Sequence, residues 1–575
     1  MRALLHRCLL RLASLLPSCL GAVCLFGAAS ALAQQLENPR QQQDQFEQRQ
    51  RELERIAPPD DAVEPRPRPL PRQPDDACIE VAEIEISGAT LLSDELLEEL
   101  TRPYEGRCLS LGDLNALLDE INQSYIDRGY VTSRALLPEQ DLTGGVLRLI
   151  VVEGRIEGFR FNDREGSDVG AVWMAFPGLT GDTLDLRELE QGLEQMNRLR
   201  AIDARLSIEP GEEPGTSRVV IETPSERDMR VGGGFDNLGG ERTGRLRGRM
   251  TAEIDNMLGL LDGWSGYLER SLPNQTDGRS LSAGGFLSIP YGRFTLLSEI
   301  AYSEYLQFVE GAATEFAISG DTLRAEGGVS WVLGRGQRSK TTLEARYGIK
   351  DTESFLEDVR LETGTRRLAI AEARLSQTQR MLGGAWFATL AVERGLPRGL
   401  GTSLEDDADA PRGTPQAQFT KAALLLDGFQ PLPLGEASLL WRPSLRAEWS
   451  PDTLFGSERM TLGGYFTVRG FRDESIAGDE GLLLRNDLVW TLPSLGLGRV
   501  EDALGRIELY GAFDAGWVDD ADNVSDADGG IAGTAVGLRA SGGPLTFDAN
   551  LAHSVVHGPL ESEGLVFTFR AGATF

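Results

Sequence analysis

From residue 225 to the C-terminus, apolar and polar positions alternate in runs of about ten residues, separated by polar or glycine-containing turns. In "RLRGRMTAEID" (245–255), Leu246, Gly248, Met250, Ala252 and Ile254 share one face. Arg245, Arg247, Arg249, Thr251, Glu253 and Asp255 share the other. "KTTLEARYGIK" sets Leu343, Ala345, Tyr347 and Ile349 against Thr342, Glu344, Arg346, Gly348 and Lys350. "GLVFTFRAGATF" sets Leu565, Phe567, Phe569, Ala571, Ala573 and Phe575 against Val566, Thr568, Arg570, Gly572 and Thr574. A period of two means strands whose successive side chains point to opposite faces. No helical stretch intervenes to cover the apolar face, so that face needs a second sheet or lipid. Small residues mixed with aromatics on one face, and charge on the other, favour an all-β transmembrane barrel over a secreted sandwich or β-helical array. At roughly 22 residues per strand and connection, residues 225–575 give about 16 antiparallel strands, enough to enclose an aqueous lumen. Phe575, the last residue, has the parity of the lipid-facing aromatics.

Upstream the pattern changes. Residues 78–153 read as strand ("CIEVAEIEISG"), two helices ("SDELLEEL", with Ser93 as N-cap, and "SLGDLNALLDEINQSYIDRG"), then two strands ("YVTSRALLP" and "GGVLRLIVVEG"). Residues 154–224 repeat the order: strand "GRIEGFRF", helices "DVGAVWMAF" and "DLRELEQGLEQMNRLR", strands "ARLSIEP" and "SRVVIETP". Repeated small α+β units of this kind serve as binding modules. Before them, residues 34–57 are rich in Gln and charge, with a high helix propensity but no apolar stripe beyond Leu36, Phe46, Leu53 and Ile56. Such a helix stands in water or in a polar cavity. Residues 58–77 are proline-rich and form a semi-rigid linker.

The first 33 residues read as a secretory signal peptide: Arg2, Arg7 and Arg11, an apolar run, and Ala31-Leu32-Ala33 as the cleavage pattern. Its removal takes three positive charges from a chain of formal net charge −31, leaving −34. A balance that acidic excludes nucleic acid as a partner, because phosphate recognition needs a basic surface. Cys8, Cys19 and Cys24 leave with the signal, so Cys78 and Cys108 remain as an even pair in an exported chain. A disulfide between them closes a loop of about 30 residues and contributes about 3 kcal/mol; two free thiols are the alternative. Beyond the signal no apolar run reaches the length of a membrane helix, so a barrel is the available way into a membrane.

No catalytic constellation stands out in the sequence. His6 lies in the signal, and His553 and His557 read as two ordinary surface residues. No ligand set for a metal is present, and "VGGGFDNLGG" (231–240) has neither dinucleotide nor phosphate-loop spacing; its glycines suit a bending first strand. Two features stand out. In "YFTVRGFRDE" (465–474), Gly470 permits a tight turn between Arg469 and Phe471, a compact tip suited to packing inside a polar cavity. In "ELYGAFDAGWV" (508–518), Tyr510, Ala512, Asp514 and Gly516 share one face, with Leu509, Gly511 and Phe513 opposite, so Asp514 faces the lumen as a partner for Arg469. By spacing alone, an exposed loop charge is an equal reading of Arg469.

These stretches resemble a known family, the TpsB transporters of two-partner secretion within the Omp85 superfamily, the type that secretes haemolysins and filamentous haemagglutinin. "YIDRGYVTSRALLPEQDLTGGVLRLIVVEGRIEG" (125–158) is similar to the first POTRA domain of that family, and "LGGYFTVRGFRDE" (462–474) to its VRGF/Y loop. "FDAGWV" resembles the D-x-G strand that receives the loop; "LLLRNDLVW" (482–490) and the terminal Phe575 also fit. One position departs: Ala512 stands where the superfamily often has Phe or Gly. The resemblance implies a plug helix (34–57), two periplasmic POTRA domains (78–153 and 154–224) and a sixteen-stranded outer-membrane barrel (225–575). It implies Val468, Arg469, Gly470 and Phe471 as a loop latch in the lumen, Asp514 and Gly516 as its partner on the wall, and Phe575 as the barrel's C-terminal signal. The implied activity is ATP-independent export of a large TpsA-type exoprotein, with no catalysis, cofactor or metal. The implied surroundings are outer-membrane lipid and the barrel assembly machinery that inserts the chain. Client strands would add to sheet edges near 131–137 or 204–209. The competing readings are a barrel-assembly factor, which usually carries more POTRA copies and no plug helix, and a passive porin or receptor, which needs no periplasmic modules.

Overall fold

A computed structural model describes residues 78–575 except 163, 166–169, 224–228, 274–276, 311–313, 337, 363, 408, 435–436, 495, 497 and 521–527. The signal peptide, the polar helix and the proline-rich linker expected within 1–77 lie outside the described residues.

In the first α+β unit the run expected as one strand is two, Cys78–Val81 and Glu83–Ser87. The backbone N–H groups of Ala82 and Glu83 both turn to the Gly145 carbonyl, and the chain changes sheet there. Cys78–Val81 pairs with Arg107–Ser110, a strand the expected order lacks. Its four residues, with Leu109 its buried apolar position, run straight into a helix N-terminus and give too short a period to read. Helices Asp94–Thr101 and Leu111–Asp127 follow their caps: the Ser93 side chain accepts from Leu96 N, and Ser110 and Asp113 form a reciprocal capping box. Leu114, Leu117, Ile121 and Tyr125, spaced three or four apart, bury one helical face against Leu147 and Leu149. Glu83–Ser87 runs parallel to Val146–Val152, with Arg134–Leu136 antiparallel at the edge.

The second unit repeats that core arrangement. Arg155–Phe161 runs parallel to Thr216–Glu222, and Arg205–Pro210 is the antiparallel edge strand. Helices Gly170–Ala175 and Leu186–Asn197 cover the sheet through Val172, Leu189 and Met196. This core does not end at the unit: Leu261, from the turn between barrel strands Arg247–Asp255 and Gly263–Ser271, is fully buried in it.

The remainder closes into an antiparallel barrel whose long strands number sixteen among the described residues, from Met229–Asp236 to Leu565–Thr574. Side-chain parity follows the alternation in the sequence: Met250 and Phe567 are 60% and 51% exposed on the outer face, whereas Arg247 is 3% exposed inside. Strand length is uneven, from 8 residues in Met229–Asp236 to 21 in Glu315–Arg335. A tilted strand needs about 9–11 residues to cross a bilayer, so the longest strands project beyond it.

The second α+β unit docks on the barrel's near rim, where the turns between strands are short. Glu188 pairs with Arg293, and Glu194 with Arg335 and Lys340. Gln195 Nε2 donates to the Gly292 carbonyl at 3.1 Å, and Asp255 accepts from Ala201 N at 3.0 Å. Helix Leu186–Asn197 is thereby stapled to two of these turns, and Ala201, just past its end, to the base of a third, which fixes where the second unit sits relative to the lumen mouth.

Candidate functional site: an inward loop moored to the barrel wall

The connection between strands Ala437–Trp449 and Glu480–Thr491 turns into the lumen. It carries its own hairpin stem, Met460–Leu462 paired with Ile476–Gly478, every residue of which is buried. Met460, Leu462, Val468, Phe471 and Ile476 pack against Leu483, Val518 and Ile531 from the wall. These wall residues have lumen-facing parity, so a small apolar core sits inside an otherwise charged channel. It gives the loop a dry seat, and a dry seat strengthens the polar contacts at its tip.

Arg469 is 3% exposed and Asp514 fully buried. Arg469 Nε donates to Asp514 Oδ2 at 2.6 Å and Nη2 to Asp514 Oδ1 at 2.7 Å, a bidentate pair; the Arg469 backbone N–H adds a third bond at 3.1 Å. Nη2 also reaches Asp487 Oδ1 at 2.6 Å. Arg485, in register with Asp514 on the neighbouring strand, lies 3.5 Å from Asp514 Oδ1 and donates to the Phe466 and Tyr465 carbonyls at 2.9 and 3.3 Å. The Tyr510 ring centre lies 6.0 Å from Arg469 Cζ, and its hydroxyl donates to Asp548. The tip is thus held by two carboxylates and a second arginine.

Backbone approach is as tight as the charge pairing. Gly470 has φ +104°, and a Cβ there would lie 2.5 Å from Ser554 N. A Cβ at Gly533 would lie 1.7 Å from the Arg469 carbonyl oxygen. The tip therefore lies flat on the wall where the wall has no side chain. Gly516 is placed otherwise: its bare face receives Leu462 of the stem, with a hypothetical Cβ 2.5 Å from Leu462 Cδ1, so it seats the stem rather than the tip. Of the two histidines expected at the surface, His553 is exposed, its Nδ1 meeting the Gly564 carbonyl at 3.0 Å, but His557 is half-buried, with its ring 6.3 Å from that of Phe471.

Asp487, Arg485 and Gly533 were not singled out from the sequence. Parity marks Asp487 and Arg485 as lumen-facing, as it does many charged residues, and only register places them beside Asp514. After the tip, Glu563 accepts the backbone N–H groups of Arg472, Asp473 and Glu474 at 2.8, 3.0 and 3.1 Å. The adjoining wall carries alternating charge: Arg346 meets Glu326 at 2.8 Å and Glu344, Arg374 meets Glu372, and Lys421 meets Glu393 at 3.1 Å. A charged lining of this kind offers an extended chain few apolar contacts.

At the other end, Cys78 and Cys108 form a surface disulfide with Cα atoms 5.4 Å apart. Phe575 is 72% exposed, and its backbone exchanges two hydrogen bonds with Val231 of the first barrel strand, at 2.9 and 3.1 Å.

Comparison with known proteins places this geometry. Residues 215–540 match the family described as haemolysin secretion/activation protein ShlB/FhaC/HecB, residues 79–154 a ShlB-type POTRA domain and residues 155–210 a POTRA domain. The chain is 34% identical over 541 residues to the outer membrane transporter CdiB of Escherichia coli, covering 92% of this chain and 89% of that one. It is 32% identical over 415 residues to the haemolysin transporter protein ShlB of Serratia marcescens, covering 72% of each. Among solved structures, CdiB from Escherichia coli superimposes with a TM-score of 0.82 at 32% identity, covering 98% of this chain and all of that one. An inward loop on a sixteen-stranded barrel behind two POTRA domains, with relatives of this closeness, leaves one assignment: the chain belongs to the ShlB/FhaC/HecB family and is an outer-membrane transporter of two-partner secretion, its POTRA domains on the periplasmic side.

Proposed function

We propose that this transporter exports a large β-rich exoprotein of the haemolysin or adhesin-like class, and that the Arg469–Asp514 contact is the latch that holds its loop in the lumen. The chain then divides into a signal peptide (1–33), a plug helix (34–57), a proline-rich linker (58–77), two POTRA domains (78–153 and 154–224) and the barrel (225–575). Extended client segments add to the edge strands Arg134–Leu136 and Arg205–Pro210, where main-chain hydrogen bonds bind with little sequence demand; a client at the first must displace Asn122, whose Oδ1 accepts from Ala135 N at 2.8 Å. The client then passes the charge-alternating wall, driven by its own folding outside. No catalytic step is assigned, since passage breaks no covalent bond. Lipid meets the apolar outer face, and the barrel assembly machinery reads the end of the chain at Phe575.

The observation that carries the latch is the convergence of Arg469 on Asp514 and Asp487 in a buried setting. Removing one partner of a buried charge pair costs about 3–5 kcal/mol. Deleting the gene should remove one large protein from the exported fraction. Wild type should restore it, and Arg469→Ala should not, although the variant barrel still inserts and keeps its heat-resistant migration in detergent. Normal export by Arg469→Ala would refute the latch.

A further inference from the structure

The inward loop is tied down a second time, at its root. Before the stem begins, the short turn Gly456–Glu458 meets three buried cations from three wall strands. Lys350, on Ser339–Leu356, donates from Nζ to Glu458 Oε1 at 2.9 Å and to the Ser457 carbonyl at 3.2 Å. Lys421, on Thr420–Leu434, donates to the Glu458 carbonyl at 3.3 Å. Arg366, at the start of Arg366–Met381, donates to Ser457 Oγ at 2.9 Å, and Ser457 Oγ donates to Glu458 Oε1 at 2.8 Å. The Arg366 guanidinium also lies 4.6 Å from the ring centre of Phe455, which packs with Leu368 and Ala417.

None of these strands carries a partner of the tip; Asp487 and Asp514 stand on Glu480–Thr491 and Gly505–Asp519. Between root and tip the stem is closed at its base by Arg459 Nε to Asp479 Oδ1 at 3.1 Å. The loop is therefore a stiff hairpin held at both ends by separate arcs of the wall.

We propose that Glu458, with Lys350, Arg366 and Lys421, is a second mooring that acts in parallel with the Arg469 latch. This rests on the reading of Arg469 as the latch. Two contacts that restrain one segment in parallel are not independent: while either holds, the other is kept at high effective concentration and re-forms. Release of the tip by a client then leaves the loop rooted beside the wall, ready to return once the client has passed. Glu458, Lys350, Arg366 and Lys421 are positioning residues in this scheme, since they meet the loop and not the cargo.

The test uses the full chain with Thr467→Cys as reporter, on the arm between stem and tip. Cys78 and Cys108 are joined to each other, so neither competes for label. The labelling rate by a membrane-impermeant maleimide is measured on intact cells for the reporter alone and with Arg469→Ala, Glu458→Gln, or both. Expected is a change under about twofold for Glu458→Gln alone, and a further rise of about tenfold when it is added to Arg469→Ala. The proposal is overturned if Glu458→Gln changes the rate by the same factor in both backgrounds, or in neither, or if it alone frees the loop as fully as the double variant. An Arg469→Ala variant that labels at the parental rate sinks the latch reading instead; the mooring then stands if the double variant labels faster than either single one, and falls if it does not. Should Glu458→Gln fail to give a heat-resistant barrel, Lys350→Met with Glu458→Gln removes cation and anion together and takes its place in the same comparison.

Discussion

Removing the Arg469 guanidinium would leave Asp514 fully buried with Arg485 3.5 Å away. The same neighbourhood decides what a charge exchange does. In an isolated pair, reversing both charges restores the attraction. Here a carboxylate at 469 would face Asp487, now 2.6 Å from the Arg469 Nη2, and a guanidinium at 514 would face Arg485. Like charges in a site this dry cost several kcal/mol. Arg469→Asp with Asp514→Arg should therefore export no more than either single variant, measured as exoprotein in the medium; recovery to half of the wild-type level or above would mean that Asp487 and Arg485 do not act on the tip. The alternation of "ELYGAFDAGWV" was enough to turn Asp514 inward, because period two fixes which face a side chain takes. It could not select Asp487 or Gly533, because the register between strands depends on turn geometry and on pairing across the barrel, which no single stretch contains.

At the scale of elements, the Ser93 helix cap and the repeated α+β order were legible, and the short strand Arg107–Ser110 was not. Caps are local chemistry, a side-chain oxygen within three residues of the N–H it accepts, so they survive in sequence alone. A four-residue strand exists because a distant segment pairs with it, here Cys78–Val81. One element junction yields a pH prediction. Glu153, at the end of the first POTRA sheet, accepts from the Thr90 hydroxyl, from Leu91 N at 2.8 Å, from the Tyr125 hydroxyl at 3.0 Å and from Thr90 N at 2.6 Å. Burial pushes its pKa up, but those four bonds outweigh burial and hold it below the ordinary glutamate value. A carboxyl depressed on folding contributes stability that is present above the unfolded-state pKa of about 4.3 and is lost as pH falls through the lower folded value. Backbone amides of the first POTRA domain in the full transporter should exchange hydrogen faster as pH drops below about 4, after correction for the intrinsic rate. Glu153→Gln should exchange faster at pH 7 and lose that acid dependence. An unchanged dependence in Glu153→Gln would assign the acid sensitivity elsewhere.

Closure of the whole molecule depends on its least-paired joint. Neighbouring strands along the barrel share up to 17 register pairs, as between Phe294–Glu310 and Glu315–Arg335, but the first and last strands share five, Gly232 with Thr574 through Asp236 with Arg570. Glycines at 232–234 and 572 leave this joint few side chains to pack. The strand count was legible because an average length per strand and connection holds over many repeats although single strands run from 8 to 21 residues; the weak joint was not, since it pairs residues more than 330 positions apart. Phe575 extends the joint by two backbone hydrogen bonds to Val231, each worth about 1 kcal/mol net and more where hydrocarbon excludes water. Its ring, 72% exposed, contributes nothing to the lumen. The two parts of the residue can be separated. Phe575→Ala keeps the backbone bonds and removes the aromatic end, whereas deletion of Phe575 removes both. If assembly reads the aromatic end, both variants should lower the inserted, heat-resistant fraction to a similar extent. If Phe575 acts only by closing the joint, the alanine variant should insert like wild type and the deletion should not. Equal insertion of all three would exclude both roles, and the five pairs would then suffice to close the barrel.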